Sequence, residues 1–328
     1  MTGDDSRKPP RIPGLSRGRP QELMAGRYVL GEEWAQGGMA RVFRGELRGS
    51  KGFSRPVAIK RMLPALGDDP EFARLFVEEA RVVSVLSHPN IVSVLDLAVD
   101  EDERLCIVME WVEGVDMGTW RGLHARSGAR TEWEHVARVG LHVARALAAA
   151  HERPAAPVFH RDVTPTNILL STQGIAKLVD FGLARAGDRA TLTNPGVLKG
   201  KLPYMAPELQ AGQRASAATD LYSLGLTLWE ALAMQRPFDG LSTLEILVQA
   251  GKGAIPRLET LRDDLPEGFA DIVHRLCARV PGDRPESARE TIGLLSAFTS
   301  NDRSSFEKNI REFTEARDTL RAAHTNTP

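Results

Sequence analysis

At 328 residues with a formal net charge of -1, the chain has roughly two domains' worth of core and no electrostatic reason to seek nucleic acid or a membrane surface. A hydrophobic share of 42% beside 26% charged residues is ordinary for a soluble globular protein. Cys106 and Cys277 stand far apart in unlike contexts, which excludes a disulfide framework and a zinc spacing and reads as reduced, buried thiols. No apolar run approaches the roughly 20 residues that span a bilayer, and the polar start carries no signal-peptide core. The expected location is the cytoplasm, without membrane insertion or a nucleic-acid partner.

Residues 1–26 read as a disordered basic arm, with too few apolar groups to offset ordering entropy. Short β-like runs follow at Tyr28-Val29-Leu30, Arg41-Val42-Phe43 and Pro56-Val57-Ala58-Ile59. The first two flank a stretch with a Gly-Gly step, Gly37-Gly38, which by itself reads as a tight hairpin turn. A helix is expected over 69–86, with Pro70 near its first turn, then strands over 91–99 and 105–111. Five strands and one helix make a small mixed lobe. Within the helix, Glu79 has Phe72, Leu75, Phe76, Val82, Val83 and Leu86 at its helical neighbour positions. A carboxylate on such a face is costly unless paired. Glu78, near Glu71, Arg74 and Arg81, is the exposed neighbour, and Lys60 at the end of its strand is the inferred partner of Glu79.

After Glu113-Gly114 the pattern turns helical. Thr131-Glu132-Trp133-Glu134 reads as a capping box, and Val136, Val139, Gly140, Val143 and Leu147 repeat at helical spacing. Ile168-Leu169-Leu170 and residues 175–179 read as a β-hairpin around Ser171-Thr172-Gln173-Gly174, which holds Asn167 and Asp180 at one end. Further helices are expected over 218–234, 244–250, 269–277 and 287–298, and a charged amphipathic one within 300–328. His135 and His142, two turns apart, read as packed or solvated side chains and not as metal ligands.

His160-Arg161-Asp162-Val163-Thr164-Pro165-Thr166-Asn167, followed by Asp180-Phe181-Gly182, resembles the catalytic loop and metal-binding turn of protein kinases. Either triplet alone is a common loop; both in order at this spacing are specific. Phosphoryl transfer needs a carboxylate beside the acceptor hydroxyl and oxygen ligands for magnesium on the phosphates. The resemblance implies that Asp162 orients the hydroxyl and accepts its proton, that Asn167 and Asp180 hold the metal, and that Lys60, paired with Glu79, contacts phosphate. It also implies a Gly-rich hairpin at Gly37 and Gly38, with Val42 and Ala58 on the nucleotide side. Met205-Ala206-Pro207-Glu208, Asp220 and Asp283-Arg284-Pro285 resemble scaffold signatures of the large lobe, in which Glu208 pairs with Arg284 and Asp220 braces the catalytic loop. No P-loop competes for the nucleotide.

The expected fold is therefore α+β and bilobal: a kinase domain over 27–298, with an N-lobe of 27–113 and a C-lobe of 114–298, and a charged helical tail over 299–328. Gly37-Gly38-Met39 most resembles bacterial members of the eukaryotic-like serine/threonine kinases. That family implies ATP and Mg2+ as cofactors, protein substrates, and a transient homodimer during autophosphorylation at Thr191 or Thr193. Arg161 would dock the phosphate so formed. Three departures stand out. Ala35 and Ala40 replace the outer glycines of the hairpin; Thr164 occupies the site of the family's catalytic-loop Lys; and Lys201 occupies the site of the Thr that hydrogen-bonds to it. They keep open a pseudokinase scaffold as the alternative, and a small-molecule phosphotransferase more remotely.

Overall fold

Val57-Ala58-Ile59-Lys60 alternates apolar and polar residues, and its strand runs through the centre of an antiparallel sheet that buries Val57 and Ile59 completely. The computed structural model describes residues 21–23, 26–67, 69–181, 202–253 and 255–325. It divides into two compact units, Met1–Ser84 with Ser93–Trp111, and Val85–Val92 with Val112–Pro328. Residues 1–20 of the expected arm, and Thr191, Thr193 and Lys201, lie outside the described residues.

The first unit carries β1 (Gln21–Leu23), β2 (Tyr28–Leu30), β3 (Glu33–Gln36), β4 (Ala40–Arg48), β5 (Ser54–Met62), β6 (Val94–Val99) and β7 (Leu105–Glu110). Their order is β1-β2-β4-β5-β7-β6, with β3 paired to β4. Among the described residues the sheet thus has seven strands, not the five expected. Strand β1 lies within the stretch read as a disordered arm and pairs Gln21 with Leu30. Strand β3 is polar, and its residues are mostly exposed. At three and four residues both are too short to show the alternation by which strands are recognised. One face of the sheet packs Tyr28, Leu30, Phe43, Val57, Ile59, Ala98, Cys106 and Val108 into a core.

A short helix, α1 (Pro64–Gly67), precedes α2 (Pro70–Ser84). Asp69 caps α2: its Oδ1 accepts from the Glu71 amide at 2.8 Å and its carbonyl from Ala73 at 3.1 Å. The strand expected over 91–99 begins only at Val94. The preceding residues pair elsewhere, Val92 N–H with the Leu178 carbonyl and Leu178 N–H with the Asn90 carbonyl.

The second unit holds a three-stranded sheet, β10 (Ala176–Leu178), β9 (Ile168–Ser171) and β8 (Gly114–Asp116) in that order. Its helices are α3 (Met117–Arg126), α4 (Trp133–His151), α5 (Pro207–Gln210), α6 (Ala217–Ala233), α7 (Thr243–Lys252), α8 (Phe269–Leu276), α9 (Ala288–Ser296) and α10 (Ser304–Thr325). Helix α6 is buried along nearly its whole length. Gly140 of α4 makes close approach feasible there: a Cβ would come within 2.9 Å of Leu228 and 3.1 Å of Leu295. The capping box expected at Thr131 does not form. Glu132 is the N-cap residue without a side-chain bond, and Thr131 Oγ1 donates instead to the buried Ala231 carbonyl at 2.6 Å. A buried carbonyl needing a donor outweighs a cap that water can supply. Among the described residues no helix is long and apolar enough to cross a membrane.

Candidate active site

In the first unit, Lys60 and Glu79 meet. Lys60 Nζ donates to Glu79 Oε1 at 2.8 Å, and both side chains are nearly buried. The register explains which residues share Lys60's face. Val42 lies directly opposite Lys60 across β4 and β5, and Ala58 lies two residues before it, so all three project to the side away from the core. Gly37 N–H donates to the Ala40 carbonyl at 2.8 Å and closes the hairpin turn. Gly37 and Gly38 are exposed, and neither has positive φ. Ala35 and Ala40 lie in the flanking strands β3 and β4, and neither has positive φ, so the hairpin accommodates them without backbone strain.

In the second unit, the short helical turn Pro165–Asn167 leads into β9 and brings Asn167 back to Asp162. Asn167 Nδ2 donates to the Asp162 carbonyl at 2.8 Å and to Asp162 Oδ2 at 3.0 Å. Val179 N–H donates to the Asn167 carbonyl at 3.0 Å, which sets Asp180 beside Asn167 at the end of the hairpin. With its amide nitrogen engaged by Asp162, Asn167 offers Oδ1 as a hard ligand atom, and the Asp180 carboxylate offers the same chemistry. Among the described residues no group of three His, Cys, Asp or Glu side chains could cage a metal. A divalent ion held with substrate phosphates needs only one or two protein oxygens.

The loop is fixed from beneath. Asp220, fully buried on α6, accepts from the His160 amide at 2.8 Å, the Arg161 amide at 2.7 Å and His151 Nε2 at 2.8 Å. His160 Nδ1 accepts from the Asp162 amide at 3.2 Å, so its Nε2 carries the proton and donates to the Val179 carbonyl at 3.0 Å. Burial holds His160 below the usual imidazole range, and the neutral ring satisfies both bonds. One imidazole thus links the loop of Asp162 to the strand end of Asp180. Arg161 and Asp180 both have left-handed backbones, φ 65° and 60°, conformations that surrounding structure must impose on non-glycine residues. His151 was not singled out from sequence; its place in the last turn of an apolar helix carries no signal of its own.

Further along, Glu208 and Arg284 form a buried bidentate pair at 2.6 and 2.9 Å. The remaining Arg284 donors reach the carbonyls of Ala278, Ala218 and Arg279, so all five N–H groups are used. Thr164 is buried, and its hydroxyl lies 3.2 Å from that of Thr166.

Comparison with known proteins agrees with this geometry. Residues 28–293 match the family described as protein kinase domain. The chain is 40% identical over 280 residues to tyrosine-protein kinase MasK of Myxococcus xanthus, covering 84% of this chain and 43% of that one. It is 38% identical over 263 residues to serine/threonine-protein kinase PknL of Mycobacterium tuberculosis, covering 80% and 63%. Among solved structures, the Mycobacterium tuberculosis PknI kinase domain aligns with a TM-score of 0.64 and 28% identity, over 86% of this chain and all of that one. The chain spans less than two thirds of the length of either MasK or PknL. With the motif residues clustered as described, and the match running through both units, the chain belongs to the protein kinase domain family.

Proposed function

We propose that this chain transfers the γ-phosphoryl group of ATP to serine and threonine hydroxyls of protein substrates, with Mg2+ as the metal, in the cytoplasm. The observation that carries the reading is the tie of Asn167 to Asp162 and, through Val179, to the strand end that carries Asp180, which supports Asp162 as base and Asn167 and Asp180 as metal ligands. Asp162 orients the acceptor hydroxyl and accepts its proton as the oxygen bonds to the γ-phosphorus and the bond to ADP breaks. Asn167 and Asp180 hold the metal, whose charge neutralises phosphate oxygens. Lys60, kept in place by Glu79, adds a cation to the phosphates. Most of the catalysis is positioning and charge stabilisation.

Retention of Lys60, Glu79, Asp162, Asn167 and Asp180 favours an active enzyme over a pseudokinase scaffold. A tyrosine acceptor is the second reading, favoured by the name of the 40% identical relative and by Thr164 at the family's Lys site. Incubation of the purified chain with labelled ATP, Mg2+ and a generic basic protein, followed by phosphoamino-acid analysis, tests all three. Phosphoserine and phosphothreonine support the proposal, phosphotyrosine alone moves it to the second reading, and no transfer overturns both. Labelling of the chain itself that rises with enzyme concentration would place autophosphorylation in a transient homodimer.

A further inference from the structure

The family match ends at residue 293, and nothing in the proposed reaction uses α10. The helix is nonetheless built into the second unit. Phe306, Ile310 and Thr314, spaced four apart, are buried, while Lys308, Arg311, Glu312 and Glu315 are exposed. The buried stripe meets α3 and α4. Phe306 lies 5.0 Å from the His135 ring and 6.5 Å from Trp120, Phe313 stacks on His124 at 4.2 Å, and Trp120 Nε1 donates to Asn309 Oδ1 at 2.7 Å.

The same helix grips the three-stranded sheet at one end. Arg311 Nε donates to the Thr172 carbonyl at 3.3 Å, in the β9–β10 turn. The Arg317 guanidinium donates to the Gly114 carbonyl at the start of β8, and the Glu113 carboxylate lies 3.8 Å from that guanidinium. Gly114 pairs with Ser171, so both grips fall at the turn end of the sheet. Gly174, at φ 69°, lies so close to Glu307 that a Cβ would come within 2.8 Å of its Cγ. Asn167 and Asp180 sit at the opposite end of β9 and β10, roughly 13 Å away at the rise of an extended strand. So stiff and short an element moves at one end when it is released at the other.

We propose that α10 is a brace for the β8-β9-β10 sheet, with Arg311 and Arg317 as positioning residues that hold Asn167 and Asp180 in register. The proposal rests on the reading of those two residues as metal ligands. It is tested on the full chain with Arg311→Leu and Arg317→Leu combined, and with Arg317→Lys alone. Hydrogen exchange of the amides of residues 168–179 is followed by mass spectrometry, with α6 as internal reference. The double variant is expected to exchange roughly tenfold faster in the hairpin and unchanged in α6. Its turnover should need roughly fivefold more Mg2+ for half-saturation, with turnover at saturating Mg2+ nearly retained. Arg317→Lys should show much smaller effects on both, since its ammonium can still donate and Arg311 is intact. Unchanged hairpin exchange, or equal acceleration in the hairpin and α6, overturns the brace. Wild-type protein without phosphoryl transfer would remove the kinase reading, and the exchange comparison would still decide the brace.

Discussion

Asn167 Nδ2 is shared between the backbone carbonyl and the carboxylate of Asp162, at 2.8 and 3.0 Å. One amide therefore fixes the proposed base and leaves its oxygen for the proposed metal. Asp162→Asn removes the proton acceptor and sets two amides against each other, so kcat should fall roughly 100- to 10,000-fold. The KM for ATP should stay near the wild-type value, because Asp162 acts on the acceptor. Asp180→Asn should differ by raising the Mg2+ concentration at half-saturation at least roughly tenfold. Steady-state kinetics with Mg2+ titration separates the two; near-normal turnover of Asp162→Asn would remove it as the base.

Glu208 and Arg284 make a different kind of pair, remote from any proton transfer. Glu208→Ala leaves a guanidinium with essentially no exposure facing no anion. The expected loss is about 3 to 5 kcal/mol, read as a Tm lower by roughly 10 °C for a unit of this size. A loss under about 1 kcal/mol would mean that the backbone carbonyls alone satisfy Arg284.

His142 gives stability a pH dependence. Burial, with Arg145, Arg138 and Arg303 nearby, lowers its pKa to about 4, and its Nδ1 accepts from the Ala176 amide at 3.1 Å. A histidine whose folded pKa lies below its unfolded value stabilises above the unfolded pKa of 6.5. That contribution is lost as pH falls from there toward 4, up to about 3 kcal/mol in all. Tm should therefore drop between pH 6.5 and 4.5. His142→Asn, which keeps an acceptor that does not titrate, should flatten the decline; an unchanged slope would assign it to other groups.

The protein kinase domain family was legible in the sequence because its motifs set fixed residue types at fixed spacing. Glu79 was legible for another reason: helical periodicity puts an acid on an apolar face, and Lys60 completes it. The Thr131 cap was misread because its true partner, the Ala231 carbonyl, lies 100 residues away and belongs to tertiary packing. Strands β1 and β3 were missed because three- and four-residue runs are too short to show an alternation. The grip of Arg317 on Gly114 was illegible too, since an arginine in a charged helix reads as solvated until its neighbours are known.

Arg161 is the expected dock for an activation phosphate. Its backbone is held at φ 65°, and its buried Nε has no hydrogen-bond partner among the described residues. A buried donor of that kind matches a phosphate oxygen. Phosphate on Thr191 or Thr193 should therefore raise turnover about tenfold or more, and Arg161→Met should abolish the difference between phosphorylated and unphosphorylated protein. Mass spectrometry paired with rate measurement checks this; full activity with both threonines unmodified would refute it.

The last prediction concerns Thr164. The resemblance to the family implies a Lys at the site of Thr164 and a Thr at that of Lys201, and the two substitutions are either an exchange or independent. Thr164 is buried beside Asp162, with its hydroxyl against Thr166, in a recess lined by Arg161, Tyr204, Met205 and Ser223. A lysine at 164 would bring a second cation near Arg161 without removing Lys201. A threonine at 201 would leave the transferring phosphate one cation short, if lysine's long flexible stem brings its ammonium back toward Asp162. Each single change, Thr164→Lys or Lys201→Thr, should then slow turnover about tenfold, and the double change should recover most of it, a coupling on the order of 1 to 3 kcal/mol. Two defects that simply add, or a harmless Lys201→Thr, would mean the substitutions are independent and the phosphate charge is met by Lys60 and the metal alone.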